Sequence, residues 1–353
     1  MNDDRKQGQD TRQVNTYDPD QLYRKKPART WFNGWKKGLA IFLIIVVVIV
    51  VLAVGCNMGV RGILGTSEDD YDYNSDYIGI LAVHGTISEE SDSSDTYNQQ
   101  WLMNRVKQMK NDSHNRGLIL SIDTPGGSVY ATDELYLQIK EYAAQTGRPV
   151  YTYMESTAAS GGYYIASASD KIFANRNTLT GSIGVTVGTV YDISGFLEKM
   201  GIKTVTITSG KNKAMGSAVN PLTKEQKEIY QSVVDESYDQ FVGVVAEGRR
   251  MKLSEVKKLA DGRIYTAKQA EKNGLVDQVG TLEDAVRDMQ SAYELGDCDL
   301  QTMEYKPKAT FLSWLESKTT AGGSRAKAEY DQLKELMEEN NQFTVTYLSP
   351  IGK

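Results

Sequence analysis

One stretch near the middle of the chain, residues 149–168, constrains the fold more than any other. It opens with a short β-branched and aromatic run, which predicts a buried strand, and continues as Ala158-Ala159-Ser160-Gly161-Gly162, which predicts the start of a helix. A serine at such a junction lies beside backbone N–H groups that lack helical partners, and the glycines let a substrate come close. A nucleophilic serine needs these surroundings, but tight packing of a helix start explains the small residues equally well.

Composition excludes several classes of protein. The 353 residues suffice for a full core with appendages, and 40 Lys and Arg against 46 Asp and Glu argue against nucleic acid as a partner. Cys56 and Cys298 are too few for a disulfide framework or a zinc cluster, and nothing in the sequence implies another metal or a cofactor. Both histidines, His84 and His114, precede Ser160 in the chain. If Ser160 is a nucleophile, its base is therefore expected to be another kind of residue.

The N-terminal part predicts a membrane anchor. Residues 1–37 are polar, end in a basic cluster and are expected to be disordered in the cytoplasm. Residues 38–60 carry no charge and are long enough to span a bilayer as one helix. Residues 61–76 are acidic and predict a tether, so the positive-inside rule places the rest of the chain outside the cell membrane. A signal peptide cleaved after residues 53–55 is the alternative.

Residues 77–296 predict one α/β domain with a largely parallel sheet. Its strands are predicted at 77–83, 117–123, 150–154, 171–174 and 203–208, and its helices at 97–110, 129–146, 161–169 and 193–200. Capping-box patterns at Thr223 and Thr266 predict two further helices. Residues 297–353 predict a C-terminal extension and tail with a charged helix at 325–339 and a strand-like run at 343–348.

Three other stretches carry candidate chemistry. Pro125-Gly126-Gly127 ends a predicted strand and offers bare N–H groups for an oxyanion, although a plain turn explains it too. Lys211 and Lys213 follow a glycine turn, where lysines are usually just solvated. A lysine acts as a base only if desolvation lowers its pKa from about 10.4 toward 7 or 8. Thr180 or Ser182 offers a hydroxyl to orient such a lysine.

Taken together, these motifs resemble a known family. The motifs are Asp123-Thr124-Pro125-Gly126-Gly127, the run from Ala158 to Tyr164, the run from Leu179 to Val185, Ser209-Gly210 with its lysines, and Gly262-Arg263-Ile264-Tyr265-Thr266. Over residues 77–289 the chain resembles the signal peptide peptidases of family S49, within the ClpP/crotonase superfamily, in their short single-repeat form. The resemblance implies a ClpP/crotonase-like fold of repeated ββα units.

The resemblance also implies the roles of the site residues. Ser160 is then the nucleophile, Lys213 the base with Lys211 as its rival, and Ser182 the hydroxyl that contacts the lysine. The N–H groups of Gly126 and Gly161 form the oxyanion hole. A further implication is a homo-oligomeric ring, in which the serine and the lysine of one site come from different protomers.

The expected function is that of a membrane-anchored, outward-facing serine endopeptidase with a Ser/Lys dyad. Its expected substrates are apolar peptides, especially remnant signal peptides, and its other partner is the lipid bilayer. A ClpP-like Ser-His-Asp triad is excluded, because it needs a histidine after Ser160. The alternatives are a crotonase-like acyl-CoA hydrolase or isomerase and a catalytically inactive membrane scaffold.

Overall fold

The computed structural model describes residues 75–89, 96–306 and 345–349. The predicted cytoplasmic segment, the transmembrane helix at 38–60, most of the tether and the charged helix at 325–339 lie outside these residues. Within the described ranges, no helix is both long and apolar enough to cross a membrane.

The described chain forms ten strands. They are β1 (Tyr77–His84), β2 (Asn115–Thr124), β3 (Gly126–Ser128), β4 (Val150–Ala159), β5 (Lys171–Ala174), β6 (Leu179–Gly181), β7 (Ile264–Thr266), β8 (Gln278–Val279), β9 (Asp299–Met303) and β10 (Thr346–Leu348). Eight of them form one sheet in the order β7-β6-β4-β2-β1-β9, with β5 beside β4 and β8 beside β5. Every pairing in this sheet is parallel except β6 with β7. The predicted mixed α/β fold with a mostly parallel sheet is confirmed.

Eight helices connect and cover these strands in the described ranges. They are α1 (Gln99–Asn111), α2 (Val129–Thr146), α3 (Gly161–Ala166), α4 (Ser194–Lys199), α5 (Lys224–Gly248), α6 (Leu253–Leu259), α7 (Ala267–Lys272) and α8 (Leu282–Tyr293). The capping boxes predicted at Thr223 and Thr266 are both formed, and they begin α5 and α7. Their reciprocal side-chain bonds satisfy N–H groups that the first helical turn leaves free.

The core lies on both faces of the sheet because successive side chains of a strand point to opposite sides. Leu81 and Leu120 belong to the larger cluster, together with apolar residues of α1, α2 and α5. Ile80 and Ile119, their immediate neighbours, belong to the smaller cluster with residues of α8. The two central strands β1 and β2 are therefore buried on both sides. Because they are parallel, their carboxyl ends lie at the same edge of the sheet.

The strand predicted at 203–208 is wrong. These residues belong to no strand, and Val205 and Ile207 are 84% and 92% exposed. Their apolar alternation resembles that of a half-buried strand, but an isolated strand has neither a ladder partner nor a surface to cover.

Candidate active site

Ser160 lies where β4 ends and α3 begins, as its sequence context predicts. It is buried, and its backbone has a φ of 55° and a ψ of −116°. A non-glycine residue in this region costs about 1–3 kcal/mol and persists only where its surroundings hold it. Here the Ser160 N–H donates to the Gly181 carbonyl at 2.8 Å. No hydrogen bond of the Ser160 hydroxyl is found among the described residues, so the hydroxyl is not committed to a structural role there.

Gly126 and Gly161 pack directly against the serine. A β-carbon at Gly126 would lie 3.0 Å from the Ser160 Cβ and 2.7 Å from the Gly161 nitrogen. A β-carbon at Gly161 would lie 2.7 Å from Thr132 Oγ1 and 3.2 Å from the Gly126 Cα. Only glycines allow this approach, and it brings together the two residues predicted to form an oxyanion hole.

The two predicted oxyanion donors differ in their hydrogen bonding. The Gly126 N–H donates to Thr124 Oγ1 at 3.1 Å. The Gly161 N–H has no partner in the described part of the chain. Gly161 is therefore the better placed donor, while the Gly126 N–H has to leave Thr124 before it can bind an oxyanion.

The hydroxyl groups of Thr180 and Ser182, in β6 and directly after it, differ in their hydrogen bonding. Thr180 Oγ1 donates to the Ala158 carbonyl at 2.5 Å, so its proton is committed to β4. Ser182 follows Gly181, is buried, and has a φ of 51°, with its N–H donating to the Arg263 carbonyl at 2.8 Å. Its hydroxyl has no hydrogen bond to any described residue. Of the two candidates, Ser182 is thus the one available to orient a base.

Neither lysine forms a hydrogen bond with Ser160 in the described part of the chain. Lys213 is exposed in the turn at 211–216 and forms no side-chain hydrogen bond or ion pair within the described ranges. Lys211 Nζ lies 2.8 Å from a carboxylate oxygen of Glu225 and thereby lowers the pKa of that carboxyl group. The Lys211 amine therefore has an acidic partner, whereas the Lys213 amine has none among the described residues.

Apolar side chains in the segment that precedes Lys213 face solvent. Between residues 190 and 207 the exposed ones are Val190, Tyr191, Ile193, Phe196, Met200, Ile202, Val205 and Ile207. A cluster of this kind is typical of a surface that another protein covers.

An extended segment of the chain itself lies in the cleft beside Ser160. β10 pairs with β3 in antiparallel register, Tyr347 opposite Gly127 and Leu348 opposite Gly126. On its other side, Thr346 and Thr186 exchange backbone hydrogen bonds of 2.9 and 3.1 Å. The Tyr347 carbonyl oxygen fills the space that a Gly126 β-carbon would take. The cleft between β3 and Thr186 thus holds an added strand, with a carbonyl group next to Gly126 and Ser160.

The side chain of Tyr347 fills an aromatic pocket next to the cleft. It is fully buried, with its ring stacked on Tyr164 at a centroid distance of 5.2 Å and tilted against Phe241 at 4.8 Å. Its hydroxyl donates to the Ser237 carbonyl at 3.1 Å, and burial raises the pKa of this phenol. The sequence identified 343–348 only as strand-like and gave no sign of this pocket.

Comparison with known proteins places the chain in a family. Residues 142–296 match peptidase family S49. A candidate signal peptide peptidase SppA of Enterococcus faecium is 40% identical over 244 residues, which are 67% of this chain and 70% of that protein. The chain belongs to peptidase family S49. It is accordingly a serine peptidase rather than an acyl-CoA hydrolase or isomerase.

Two other relatives are similar over a smaller share of this chain. A candidate protease of Methanocaldococcus jannaschii is 38% identical over 54% of this chain and 60% of its own length. Protease 4 of Haemophilus influenzae is 34% identical over 59% of this chain, but only 34% of its own length is covered. The similarity to these two proteases thus spans one region of each protein rather than the whole.

Proposed function

We propose that this S49 peptidase is an endopeptidase that binds its substrate as an extended strand between β3 and Thr186 and cleaves it at Ser160. The observation that carries this proposal is the position of β10, which is held on both edges by backbone hydrogen bonds beside the serine. Backbone hydrogen bonds supply affinity for any extended sequence, whereas pockets supply specificity. The Tyr164–Phe241 pocket, now filled by Tyr347, favours a large aromatic or apolar side chain.

The chemistry that we propose uses a Ser/Lys dyad. The Ser160 hydroxyl attacks the substrate carbonyl while a neutral Lys213 amine takes its proton. The Gly161 N–H, joined by the Gly126 N–H, stabilises the oxyanion. Lys213 then protonates the leaving amine, and water hydrolyses the acyl-enzyme by the same route in reverse. Ser182 orients the lysine amine through its free hydroxyl.

We propose further that each site is completed by a neighbouring copy of the chain. Ser160 is buried and Lys213 is exposed, and the exposed apolar cluster at 190–207 lies in the same segment as the lysine. A ring in which this segment packs on the next protomer would cover the cluster and carry Lys213 into a water-poor site. There, desolvation favours the neutral amine that a base requires.

The proposed location and substrates follow from the sequence. We propose that residues 38–60 anchor the protein in the cell membrane with the peptidase domain outside. Apolar peptides left in the membrane, including remnant signal peptides, suit both this position and the aromatic pocket. The Enterococcus relative is described as a candidate signal peptide peptidase, which supports this substrate class.

The test uses the full-length protein in detergent and a fluorogenic peptide with tyrosine before the scissile bond. We expect Ser160→Ala and Lys213→Ala to lose about a thousandfold or more in kcat. The matched control Lys211→Ala, which removes a lysine two residues away, should keep its activity. Full activity in Ser160→Ala would refute the serine mechanism, and full activity in Lys213→Ala would refute the dyad alone.

A further inference from the structure

A histidine and a glutamate meet at the sheet edge that carries the candidate site. His84 ends β1 and Glu155 lies in β4, so their contact passes across the end of β2. The His84 Nε2 lies 3.0 Å from Glu155 Oε1, and the Ser121 hydroxyl donates to the same oxygen at 2.6 Å. The His84 and Glu155 side chains are 26% and 35% exposed, so solvent screens their interaction only in part.

Acidic groups face the imidazole from three strand ends. Besides Glu155 on β4, Glu304 after β9 has a carboxylate oxygen 3.8 Å from His84 Nδ1, and Asp123 is the register partner of His84 on β2. The hydrogen bond to Glu155 raises the pKa of His84, and the same bond lowers the pKa of Glu155. The surroundings therefore favour the charged form of both groups.

Backbone hydrogen bonds connect His84 to the strand that binds β10. The N–H of Gly85, the next residue, donates to the Asp123 carbonyl at 3.0 Å. Two residues further on, the Ile87 N–H donates to the Gly126 carbonyl at 2.9 Å, and the Ile87 carbonyl accepts from Ser128 at 2.8 Å. The end of β1 thus holds β3, and with it Gly126, from the side opposite to β10.

Glu155 is connected to the serine through its own strand. It lies five residues before Ser160, and the intervening Thr157 N–H donates to Asp123 Oδ1 at 2.9 Å. The His84–Glu155 pair therefore ties the support of β3 to the strand that carries the nucleophile. A shift of either strand end would change the distance between Ser160 and the oxyanion donors, and catalysis is sensitive to such misplacement.

We propose that His84 and Glu155 are positioning residues of the peptidase, and that the protonated state of His84 holds Ser160 and β3 in their catalytic arrangement. This inference rests on the proposed role of Ser160. It adds a pH-dependent element that is separate from the titration of the base.

The raised pKa of His84 and the lowered pKa of Glu155 give the direction in which pH changes the stability of their pair. A raised pKa means that the stabilisation is fully present below the ordinary histidine value of about 6.5 and is lost as the pH rises through the folded-state value. The lowered pKa of Glu155 means that the stabilisation contributed by its carboxylate is lost only when the pH falls below the ordinary glutamate range. Neutral His84 can still donate one hydrogen bond, but it no longer supplies a positive charge for Glu155 and Glu304.

The test compares kcat and KM over pH for the full-length protein and for His84→Gln. At about pH 6 we expect kcat of the variant to be about five- to tenfold below wild type, with KM nearly unchanged. The ratio of wild-type kcat to His84→Gln kcat should fall toward one as the pH rises and His84 of the wild type loses its proton. The kcat of Glu155→Gln should likewise approach that of the wild type as the pH rises. His84→Lys, which keeps a charge at high pH, should retain activity there, and it serves as the second variant if His84→Gln does not fold.

His114 provides a matched control. It is the only other histidine, and it pairs with Asp76 at 3.2 Å just before β2, at the opposite edge of the same sheet. His114→Gln should leave the pH profile unchanged, and the two variants assign both histidine signals in an NMR titration. The proposal is overturned if the ratio of wild-type kcat to His84→Gln kcat is constant over pH. It is also overturned if this ratio changes in a pH range other than the one in which the NMR signal of His84 titrates. Activity that persists in Ser160→Ala would instead overturn the proposed function itself.

Discussion

The buried ring of Tyr347 provides the sharpest test of how the cleft is used. If β10 occupies the substrate site, Tyr347→Ala removes the side chain that anchors it between Tyr164 and Phe241. Truncation of a fully buried aromatic residue to alanine costs about 3 kcal/mol at the low end of the measured range. At about 1.4 kcal/mol for each tenfold change, the balance between open and occupied clefts shifts by about a hundredfold.

The expected kinetic result is a lower KM with an unchanged kcat. A segment that competes from within the same chain reduces the fraction of enzyme able to bind peptide, and so raises the apparent KM. Tyr347→Ala should therefore raise kcat/KM on the fluorogenic peptide by at least about tenfold. A chain that ends at residue 344 should behave in the same way. Tyr293→Ala, which truncates a 43% exposed tyrosine on α8, is the matched control and should change neither constant.

The value of kcat/KM, measured together with a thermal melt, distinguishes this interpretation from a purely structural role for β10. If β10 is only part of the folded core, Tyr347→Ala should lower the melting temperature by several degrees and leave kcat/KM unchanged or reduced. That outcome would refute the assignment of the cleft between β3 and Thr186 as the substrate site.

Three further substitutions test individual contacts. Gly161→Ala places a methyl group 2.7 Å from Thr132 Oγ1 and displaces the better oxyanion donor, so kcat should fall by about a hundredfold or more in the peptide assay. Thr132→Val removes a buried hydroxyl that has no hydrogen-bond partner among the described residues, so the free energy of unfolding in urea should stay constant or rise. Arg249→Ala removes two hydrogen bonds to Asp277, of 2.7 and 2.8 Å, and a side chain that is 6% exposed. It should lower the free energy of unfolding by about 2–3 kcal/mol, since Asp277 keeps partial contact with water. An unchanged unfolding curve for Arg249→Ala would contradict this estimate.

The sequence predicted the parts of the fold in which local signals and burial agree. The apolar runs of β2 and β4 were predicted as strands, and they pair in parallel. The resemblance to the S49 family assigned Gly126 and Gly161 to one oxyanion hole, and the structure places these two glycines side by side. Capping boxes gave the starts of α5 and α7 because their side-chain bonds lie within four residues. The roles of these residues in catalysis stay a prediction.

The features that the sequence did not predict depend on distant contacts. β10 pairs with a strand more than two hundred residues earlier, and its three residues carry no signal of that partner. The three-residue strands β6 and β7 are too short for any periodicity to reveal. The His84–Glu155 contact joins residues 71 positions apart, and a lone histidine at a strand end gives no indication of its partner.

The contrast between the buried Ser160 and the exposed Lys213 leads to a final prediction about assembly. Ser160→Ala and Lys213→Ala should each be inactive, because each lacks one half of the dyad. If the two halves of every site come from different protomers, an equal mixture that has been dissociated and reassembled contains interfaces with both native residues. Random mixing makes about a quarter of the interfaces complete, so activity should return to about a quarter of wild type. A mixture of Ser160→Ala with the double variant Ser160→Ala/Lys213→Ala is the control and should stay inactive, since no interface regains a serine. If the first mixture also stays inactive while size measurements show mixed oligomers, Lys213 acts within its own protomer, and the exposed segment must then fold back toward Ser160 during catalysis.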